Sequence, residues 1–342
     1  MSAVELPDIR PTLADVARVA GVSTATASRV LNGFAKVRPE TRDQVKSAMI
    51  ALGYARRRAA SLKDVRRTGS IALVVCEKML QVFADPYVAR IAAGMTKELA
   101  TAGAQLVLIP MSSTEDYPAS IVHYLADGHV DGALVIGMHG RYPLDLAWLG
   151  IPVVFGGRPV CDEDSGQYSY VDADNRGGAE QAVRHLLASG RRTIATIAGP
   201  QDMVAGIDRL LGYRKAICKA DGIDDSLVVF GDFGLASGDH ATARLLERRP
   251  DVDAIFAASD LMAAGALRAL RRAGRRVPED VAVIGFDDLP VGRRTEPPLT
   301  TVRQPIEEMG ARMARELLAM INGPATPPSL VFDTELIVRE SA

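Results

Sequence analysis

Short apolar runs alternate with longer amphipathic stretches from about residue 69 onward. The apolar runs predict buried strands, and the amphipathic stretches predict helices. Such regular alternation predicts an α/β fold with parallel sheets and right-handed crossovers, and this region is long enough for two sheets in tandem. No internal sequence repeat is detected. The predicted strands are 71–75, 105–109, 132–136, 153–155, 193–198, 254–257, 281–285 and 330–338. The predicted helices are 86–102, 175–189, 206–221, 238–248, 260–273 and 305–322.

A purely helical pattern precedes this region, in the run TLADVARVAGVSTATASRVLN. Thr12 and Asp15 have the spacing of a capping box, Gly21 supplies a turn, and Ser23 can cap a second helix. Short hydroxyls with one arginine and one asparagine suit a helix in the major groove of DNA, whereas a solvated face would favour Lys and Glu. That face carries Thr24, Ala25, Ser28, Arg29 and Asn32. An ordinary helical hairpin is the alternative. A third helix is predicted over residues 39–52, with an apolar stripe of Val45, Ala48, Met49 and Leu52.

Charge is divided unevenly along the 342 residues. Residues 1–68 contain 13 Lys and Arg against 6 Asp and Glu, a net charge of +7, and the remaining residues contain 27 against 36, a net charge of −9. A basic N-terminal module on an acidic body indicates that only the small module meets a polyanion. The length predicts two or three domains.

Other classes of protein are disfavoured by what the sequence lacks. Cys76, Cys161 and Cys218 are odd in number and far apart, so neither a disulfide framework nor a zinc site is expected. The first residues lack a signal-peptide pattern, and no apolar stretch approaches the ~20 residues of a membrane span. A cytoplasmic location without a membrane partner is therefore expected.

Signatures of common enzyme classes are missing from the sequence or stand without their partner motifs. No G-x-S-x-G, H-E-x-x-H, P-loop or G-x-G-x-x-G motif occurs, and the D-F-G tripeptide around Phe233 has no accompanying kinase loops. The five histidines have no metal-ligand spacing and are explained by surface or helix positions. We therefore expect no catalytic residue, no bound metal and no cofactor.

Polar residues follow several predicted strands. Ligands of open α/β sheets bind beyond the carboxyl ends of the strands, where Arg209, Asp260 and Asp287 are expected. Carboxylates with an arginine can hold paired sugar hydroxyls, while aromatic rings cover apolar sugar faces. For Asp260, helix capping is the alternative interpretation. Further candidates, for which ordinary packing is the alternative, are Phe83, Asp85, Tyr87, Arg158 and Phe233.

The pattern T-L-x-D-V-A-x-x-A-G-V-S-x-x-T-x-S-R-V-L-N resembles the DNA-binding signature of LacI/GalR-family repressors. Later blocks, such as FAASDLMAAGAL and VPEDVAVIGFDD, resemble the effector domains of that family. The resemblance implies a helix-turn-helix domain over 1–54, a hinge segment over 55–68, and a two-lobed periplasmic-binding-protein-like effector and dimerisation domain over 69–342. Lobe one is expected over about 69–168 and 298–328, and lobe two over about 169–297 and 329–342.

Roles for the DNA-binding residues follow from this resemblance. Base edges are assigned to Thr24, Ala25 and Arg29, and phosphates to Thr12, Ser23, Thr26, Ser28 and Asn32. Leu62 matches the hinge leucine that the family inserts into the minor groove. The hinge here lacks the usual Tyr-x-Pro-Asn opening, with Arg56 and Arg57 in those places, and it is one residue short.

The resemblance also implies a partner for each domain. The chain is expected to be a homodimeric repressor that a small sugar releases from a palindromic operator, with effector contacts at Arg209, Asp260 and Asp287. The segments GGRP, IAGPQDMVAG and FGDF resemble the actinobacterial branch that responds to cellobiose and related β-glucosides, although a sugar phosphate stays open as an effector. No heptad repeat follows the last predicted strand, which favours a dimer over a tetramer. The alternative, a sugar-binding transport component of the same fold, would need a signal peptide and no helix-turn-helix.

Overall fold

The computed structural model describes residues 12–31, 37–52, 67–77, 79–111, 121, 124–125, 127–140, 150–160, 168–217, 224–323 and 329–342. Its N-terminal part contains the three predicted helices, which are α1 (Leu13–Val19), α2 (Thr24–Leu31) and α3 (Pro39–Leu52). One small apolar core joins them, formed by Val16, Ala17, Ala27, Val45, Ala48 and Met49. The apolar stripe predicted for α3 is confirmed, with Leu52 packed at the edge of this core.

The connection between α1 and α2 follows the predicted chemistry. Thr12 and Asp15 form a reciprocal capping box at the start of α1. Gly21 has φ of 65°, a left-handed conformation that a residue without Cβ adopts freely. The N–H of Val22 donates to the Ala17 carbonyl, and the Val22 side chain packs on the core. These contacts orient α2 relative to α1.

The first lobe is built on a six-stranded parallel sheet. Its strands, in spatial order, are β11 (Ser329–Phe332), β5 (Tyr170–Ala173), β4 (Val153–Gly156), β3 (Gly132–Ile136), β1 (Ser70–Val75) and β2 (Gln105–Pro110). β1 and β3 are almost wholly buried, as their uninterrupted apolar sequences predict for a parallel sheet. The helices of this lobe are α4 (Met79–Ala84), α5 (Pro86–Thr101) and α10 (Ile306–Asn322).

The second lobe has a sheet of the same size. Its strands, in spatial order, are β12 (Glu335–Ile337), β10 (Thr300–Arg303), β9 (Ala282–Asp287), β8 (Ala254–Ala257), β6 (Ile194–Ala198) and β7 (Val228–Phe230). All pairs are parallel except β10 with β12. Its helices are α6 (Asn175–Ala188), α7 (Val204–Ile217), α8 (Leu235–Arg248) and α9 (Asp260–Arg272). The predicted α/β fold with a helix-turn-helix domain and two lobes is confirmed.

The lobe boundaries differ from the prediction at each of the three crossings. β5 and β11 pair with each other in the first sheet, and β10 pairs with β9 in the second. The assignments of 170–173 and 329–332 to lobe two and of 300–303 to lobe one are therefore wrong. Each of these strands completes the sheet of the lobe that the chain is leaving. Which sheet each strand joins depends on its pairing with another strand, so local patterns cannot assign it to a lobe.

Several short elements were not predicted, namely α4, β5, β7 and β10. The single strand predicted over 330–338 is two strands, β11 and β12, in different sheets. No helix in the described part of the chain is both long and apolar enough to cross a membrane.

The two lobes repeat one strand arrangement, although no sequence repeat is detected. The order β2-β1-β3-β4-β5 in the first sheet matches β7-β6-β8-β9-β10 in the second. A carboxylate before the third strand of each lobe accepts two backbone N–H groups: Asp131 from Thr68 and Gly69, and Asp253 from Arg192 and Thr193. The two lobes therefore share both their strand order and this hydrogen-bonding arrangement before the third strand.

Candidate functional site

The second helix presents a polar face to solvent. Thr24, Ala25 and Arg29 are exposed, whereas Ala27 on the opposite side is fully buried. The Ser23 hydroxyl accepts the Thr26 N–H at 3.1 Å and contacts the Thr26 hydroxyl at 2.8 Å, so Ser23 caps the helix as predicted. The residues assigned to base edges therefore share one accessible surface.

The remaining DNA-binding candidates are placed unevenly. Thr12 is exposed at the start of α1, and Ser28 is half-buried on α2. Asn32 and Leu62 lie outside the described residues, so their roles stay predictions. The assignment of phosphate contacts likewise stays a prediction.

Contacts between the lobes define a cleft lined by the carboxyl ends of strands. Arg158, after β4, donates to Asp208 on α7 at 2.7 Å. His139, after β3, lies 3.1 Å from a carboxylate oxygen of Asp202, which follows β6. The Arg90 guanidinium on α5 donates to the Asp288 carbonyl at 3.0 Å. Strand ends of both sheets thus face one another, as expected for a ligand site in open α/β sheets.

Arg209 is at the centre of this cleft. It is only 5% exposed, and its Nε and Nη1 atoms donate to Asn175 Oδ1 at 2.9 Å and to the Ala258 carbonyl at 2.6 Å. Its Nη2 atom lies 3.2 Å from Asp287 Oδ1. The guanidinium carbon lies 3.8 Å from the centroid of the Phe286 ring, within cation–π range. Every edge of the guanidinium is therefore oriented by a neighbour.

Asp287 ends β9 in an unusual backbone conformation. Its φ is 110°, a left-handed region that side chains rarely occupy, and Gln304 Nε2 donates to its carboxylate at 2.6 Å. Burial raises the pKa of Asp287 to about 6, against the lowering effect of Arg209. A carboxylate held in this way can accept hydrogen bonds from a ligand hydroxyl near neutral pH.

A second buried pair continues the polar chain into lobe one. Asp172 Oδ1 accepts from Asn175 Nδ2 at 3.0 Å, and Asp172 Oδ2 accepts the Arg158 backbone N–H at 3.1 Å. Burial raises the pKa of Asp172 as well. Because Asn175 also accepts from Arg209, the polar chain links β5 of lobe one to β9 of lobe two. Sequence reasoning missed Asp172 and Asn175 because it missed β5, the strand that contains Asp172 and precedes Asn175.

Asp85 and Tyr87, predicted in a loop after β1, belong instead to the start of α5. Asp85 is the N-cap and accepts the Tyr87 N–H at 2.8 Å. Burial raises the pKa of the Tyr87 hydroxyl, and the charges of Asp287 and Asp172 raise it further. The Tyr87 hydroxyl therefore lies among the charges of the cleft, and the structure brings it together with Arg209 and Asp287.

Phe233 and Phe83, the two phenylalanines predicted to contact the effector, differ in their surroundings. Phe233 has φ of 66°, lies with its ring against Gly199, and sits 5.6 Å from the Arg209 guanidinium. Phe83 is 73% exposed on α4, which is a helix where the prediction had a loop. Phe233 thus joins the cluster around Arg209, whereas the Phe83 ring is exposed to solvent on α4.

Asp260 does not face the cleft. It is 0% exposed, and its carboxylate accepts the Leu289 N–H at 2.6 Å and the Thr301 hydroxyl at 2.5 Å. Ser259, which accepts the Met262 N–H, is the N-cap of α9, so the capping alternative for Asp260 is also wrong. Both carboxylate oxygens of Asp260 are therefore engaged within lobe two and are closed to direct contact with an effector in this structure. One bond holds the segment that follows Asp287, and the other holds Thr301 of β10.

Asp288, the neighbour of Asp287, has a structural role. Burial alone would raise the pKa of Asp288, but ion pairs with Arg339, Arg303 and Arg293 lower it to about 2. Its carboxylate thereby ties β10 and the C-terminal segment to the end of β9.

Within the described ranges, no group of three or more His, Cys, Asp or Glu side chains could hold a metal ion. His139 nevertheless lies in the cleft, whereas the prediction explained all five histidines by surface or helix positions. Its position three residues beyond the end of β3 was the signal that could have identified it.

Comparisons with known proteins agree with both parts of this geometry. The family described as "Bacterial regulatory proteins, lacI family" matches residues 12–57, and the "Periplasmic binding protein-like domain" matches residues 183–342. The HTH-type transcriptional regulator CelR of Thermobifida fusca is 51% identical over 336 residues, covering 97% of this chain and 98% of that protein. The HTH-type transcriptional regulator MalR of Streptomyces coelicolor is 36% identical, covering 96% of each chain.

Solved structures give the same result. A transcriptional regulator CelR–cellobiose complex has a TM-score of 0.80 at 50% identity and covers 97% of this chain and 100% of that one. A lac repressor dimer bound to operator and the anti-inducer ONPF has a TM-score of 0.71 at 28% identity and covers 97% and 98%. With the exposed recognition helix, the two-lobed cleft and a relative that is 51% identical along nearly its whole length, the chain belongs to the lacI family of bacterial regulatory proteins.

Proposed function

We propose that this chain is a cytoplasmic, DNA-binding transcriptional repressor whose effector is a cellobiose-type oligosaccharide, acting as a homodimer on a palindromic operator. The exposed face of α2 supports DNA binding because Thr24, Ala25 and Arg29 share it. Arg29 can donate two hydrogen bonds to a guanine edge in the major groove. A two-fold dimer would double these contacts on two half-sites.

The chemistry of the cleft supports a neutral sugar as effector. Arg209 donates and Asp287 accepts, and their separation of 3.2 Å suits neighbouring hydroxyls of one sugar ring. Phe233 adds aromatic surface beside this polar pair, the charges of the pair act on the Tyr87 hydroxyl, and Phe83 has an exposed ring on α4. Asp85, Asp172 and Asp287 place three carboxyl groups around the cleft, which would repel a phosphate.

A single observation carries the effector class. The relative that is 50% identical over 97% of this chain was solved as a complex with cellobiose. Two glucose units joined by a β-linkage need several hydroxyl-holding groups and an aromatic surface, which are the groups assembled around Arg209. Control of carbohydrate-use genes follows from such an effector.

The experiment combines a gel shift with calorimetry. The full chain is mixed with its own upstream intergenic DNA, and cellobiose is then titrated into the complex and, separately, into the free protein. We expect direct binding of cellobiose and weaker operator binding in its presence. A panel of monosaccharides, other disaccharides and their phosphates is the control. Binding of only a phosphorylated sugar or a monosaccharide would contradict the effector class.

The transport alternative is disfavoured by the N-terminal domain. A sugar-binding transport component of the same fold has no use for the helix-turn-helix that matches at residues 12–57. If the full chain bound cellobiose but did not shift any upstream DNA fragment, this alternative would be favoured over repression.

A further inference from the structure

The imidazole of His139 joins two carboxylates that belong to different lobes. Its Nε2 atom lies 3.0 Å from Glu77 Oε1, which follows β1 in lobe one. Its Nδ1 atom lies 3.1 Å from Asp202 Oδ2, which follows β6 in lobe two. Both distances are within hydrogen-bond range. One ring therefore spans the opening between the lobes.

This arrangement specifies the protonation state of the ring. A neutral imidazole has one N–H donor and one lone pair, whereas the imidazolium donates from both nitrogens. An ionised carboxylate only accepts, so a neutral ring would leave one nitrogen lone pair facing a carboxylate oxygen. Both contacts are satisfied together only when His139 carries its second proton.

The surroundings of the ring are acidic. Glu77 and Asp202 are the charged groups that face it, one from each lobe, and Asp85 adds further negative charge next to Glu77. The hydrogen bond that His139 donates to the Glu77 carboxylate raises the pKa of His139, in opposition to its partial burial. The His139 side chain is 20% exposed, so protons can reach it from solvent.

The same edge of the cleft holds a second contact between the lobes. The Gly140 N–H donates to the Asp202 carbonyl at 2.6 Å. Asp202 therefore meets lobe one through its backbone and its side chain at adjacent positions. Separation of the lobes at this edge would break both contacts and return His139 to water on one side.

We propose that His139 is a positioning residue for the effector response. As an imidazolium it joins the lobes through Glu77 and Asp202, so that closure of the lobes around the effector takes up a proton. This inference rests on the proposed function, because it assigns regulation by pH to the same cleft. The partner atom in lobe two is what separates this role from ordinary packing of a histidine within one lobe.

The direction of the pH effect follows from linkage. The joined form binds the proton more tightly than the separated form, because separation removes Asp202 from the ring while Glu77, in the same lobe as His139, stays in contact. The stabilisation of the joined form is complete below the pKa that His139 has in the separated form, and it is lost as the pH rises through the higher pKa of the joined form. Effector affinity should therefore decrease with rising pH between these two pKa values, by at most about tenfold per pH unit, which is the limit for uptake of one full proton.

The test is calorimetry of cellobiose binding to the full chain between about pH 6.5 and 8.5, in pairs of buffers with different ionisation enthalpies. For the wild type we expect net proton uptake and the affinity loss given above. His139→Gln and Asp202→Asn should each remove the uptake and make the affinity independent of pH in this range. His240→Gln, at an exposed histidine on α8, is the matched control and should behave as the wild type.

A readout without sugar keeps this proposal separate from the proposed function. Without sugar the joined and separated forms are in exchange, so the His139 pKa of the free protein includes part of the effect of Asp202. The imidazole resonances of His139 are titrated by NMR without sugar in the wild type and in Asp202→Asn, and the pKa should be lower in the variant. If cellobiose fails to bind but this difference is found, the effector class is wrong and the junction of the lobes stands. If cellobiose binds without proton uptake, or the His139 pKa is the same in both proteins, the role of His139 is overturned.

Discussion

Nη2 of Arg209 lies 3.2 Å from Oδ1 of Asp287, and both side chains are almost fully buried. A buried ion pair costs desolvation energy that its own attraction only partly returns. Here Asn175, the Ala258 carbonyl and Gln304 supply the additional hydrogen bonds that such a pair requires. The pair therefore lies in the cleft as a rigid donor and acceptor, oriented before any ligand arrives.

Removing the carboxylate tests this pair directly. Asp287→Ala should abolish cellobiose binding and operator release while operator binding is retained, because α2 is remote in sequence and lies in a different domain. It should also lower the free energy of unfolding by about 3 kcal/mol, the lower end of the range for losing one partner of a buried pair, since Arg209 keeps two other acceptors. Calorimetry, gel shifts and denaturant unfolding measure the three effects.

Asp251→Ala removes an exposed carboxylate of the same lobe and serves as the control for Asp287→Ala. It should leave sugar binding and operator release unchanged. Retention of cellobiose binding by Asp287→Ala would show that Asp287 supports the cleft without contacting the sugar.

The acid side of the pH profile should report Asp287. Burial raises the pKa of Asp287 to about 6, so the ionised form that pairs with Arg209 is lost as the pH falls through that value. Effector affinity should accordingly decrease below about pH 6, which together with the His139 effect gives a bell-shaped profile. Calorimetry in the wild type and in His139→Gln checks this, because the variant should keep only the acid limb. A flat profile from about pH 5 to 6.5 would argue against the need for an ionised Asp287.

The raised pKa of Asp287 also has a consequence for stability. Between the ordinary aspartate value of about 3.9 and a pKa of about 6, the native carboxyl binds more protons than the unfolded chain does. The contribution of Asp287 to the free energy of unfolding therefore decreases as the pH rises through this window. Denaturant unfolding of the wild type and Asp287→Asn over this range measures the difference.

Base recognition is tested at Arg29. A bidentate contact from arginine to guanine contributes ~1–3 kcal/mol of discrimination between bases. Arg29→Ala should therefore relax the preference at one position of each half-site, as measured by selection of binding sites from a random pool. Arg271→Ala, which removes an exposed arginine from α9, should keep the wild-type preference. An unchanged preference in Arg29→Ala would refute the assignment.

Leu62 is predicted to act as a wedge in the minor groove. Leu62→Ala should weaken binding to the operator strongly while leaving salt-sensitive binding to random DNA nearly intact, because only the bent complex uses the inserted side chain. Titrations of both DNAs at several salt concentrations give the ratio. Equal losses on the two DNAs would show that Leu62 inserts into neither.

The assembly state is a further prediction. Sedimentation should find a dimer in solution, since two recognition helices on a palindromic site require a two-fold partner. A protein that stays monomeric when bound to operator DNA would contradict this prediction.

Local sequence patterns determined the helices and the long buried strands of this protein. The capping box of Thr12 and Asp15, the turn at Gly21 and the apolar stripe of α3 depend on neighbours within a few residues, and all three are found. Arg209, Asp287 and Tyr87 could be selected for the cleft because the carboxyl ends of parallel strands are known binding positions. The resemblance of the N-terminal pattern supplied the family.

Tertiary structure decided what depends on distant partners. The residues of β5, β10 and β11 were assigned to the wrong lobes. Only the pairing of strands within a sheet, such as β11 with β5, decides which core they join. Asp260 has the sequence position of a ligand residue, but Thr301 and the Leu289 N–H occupy its carboxylate. The position of His139 after β3 suggests a place near the strand ends, but its role depends on Asp202 of the other lobe, which reaches its ring. The physical reason is the same in each case, since a hydrogen bond between residues far apart in the chain leaves no local pattern by which the sequence could reveal it.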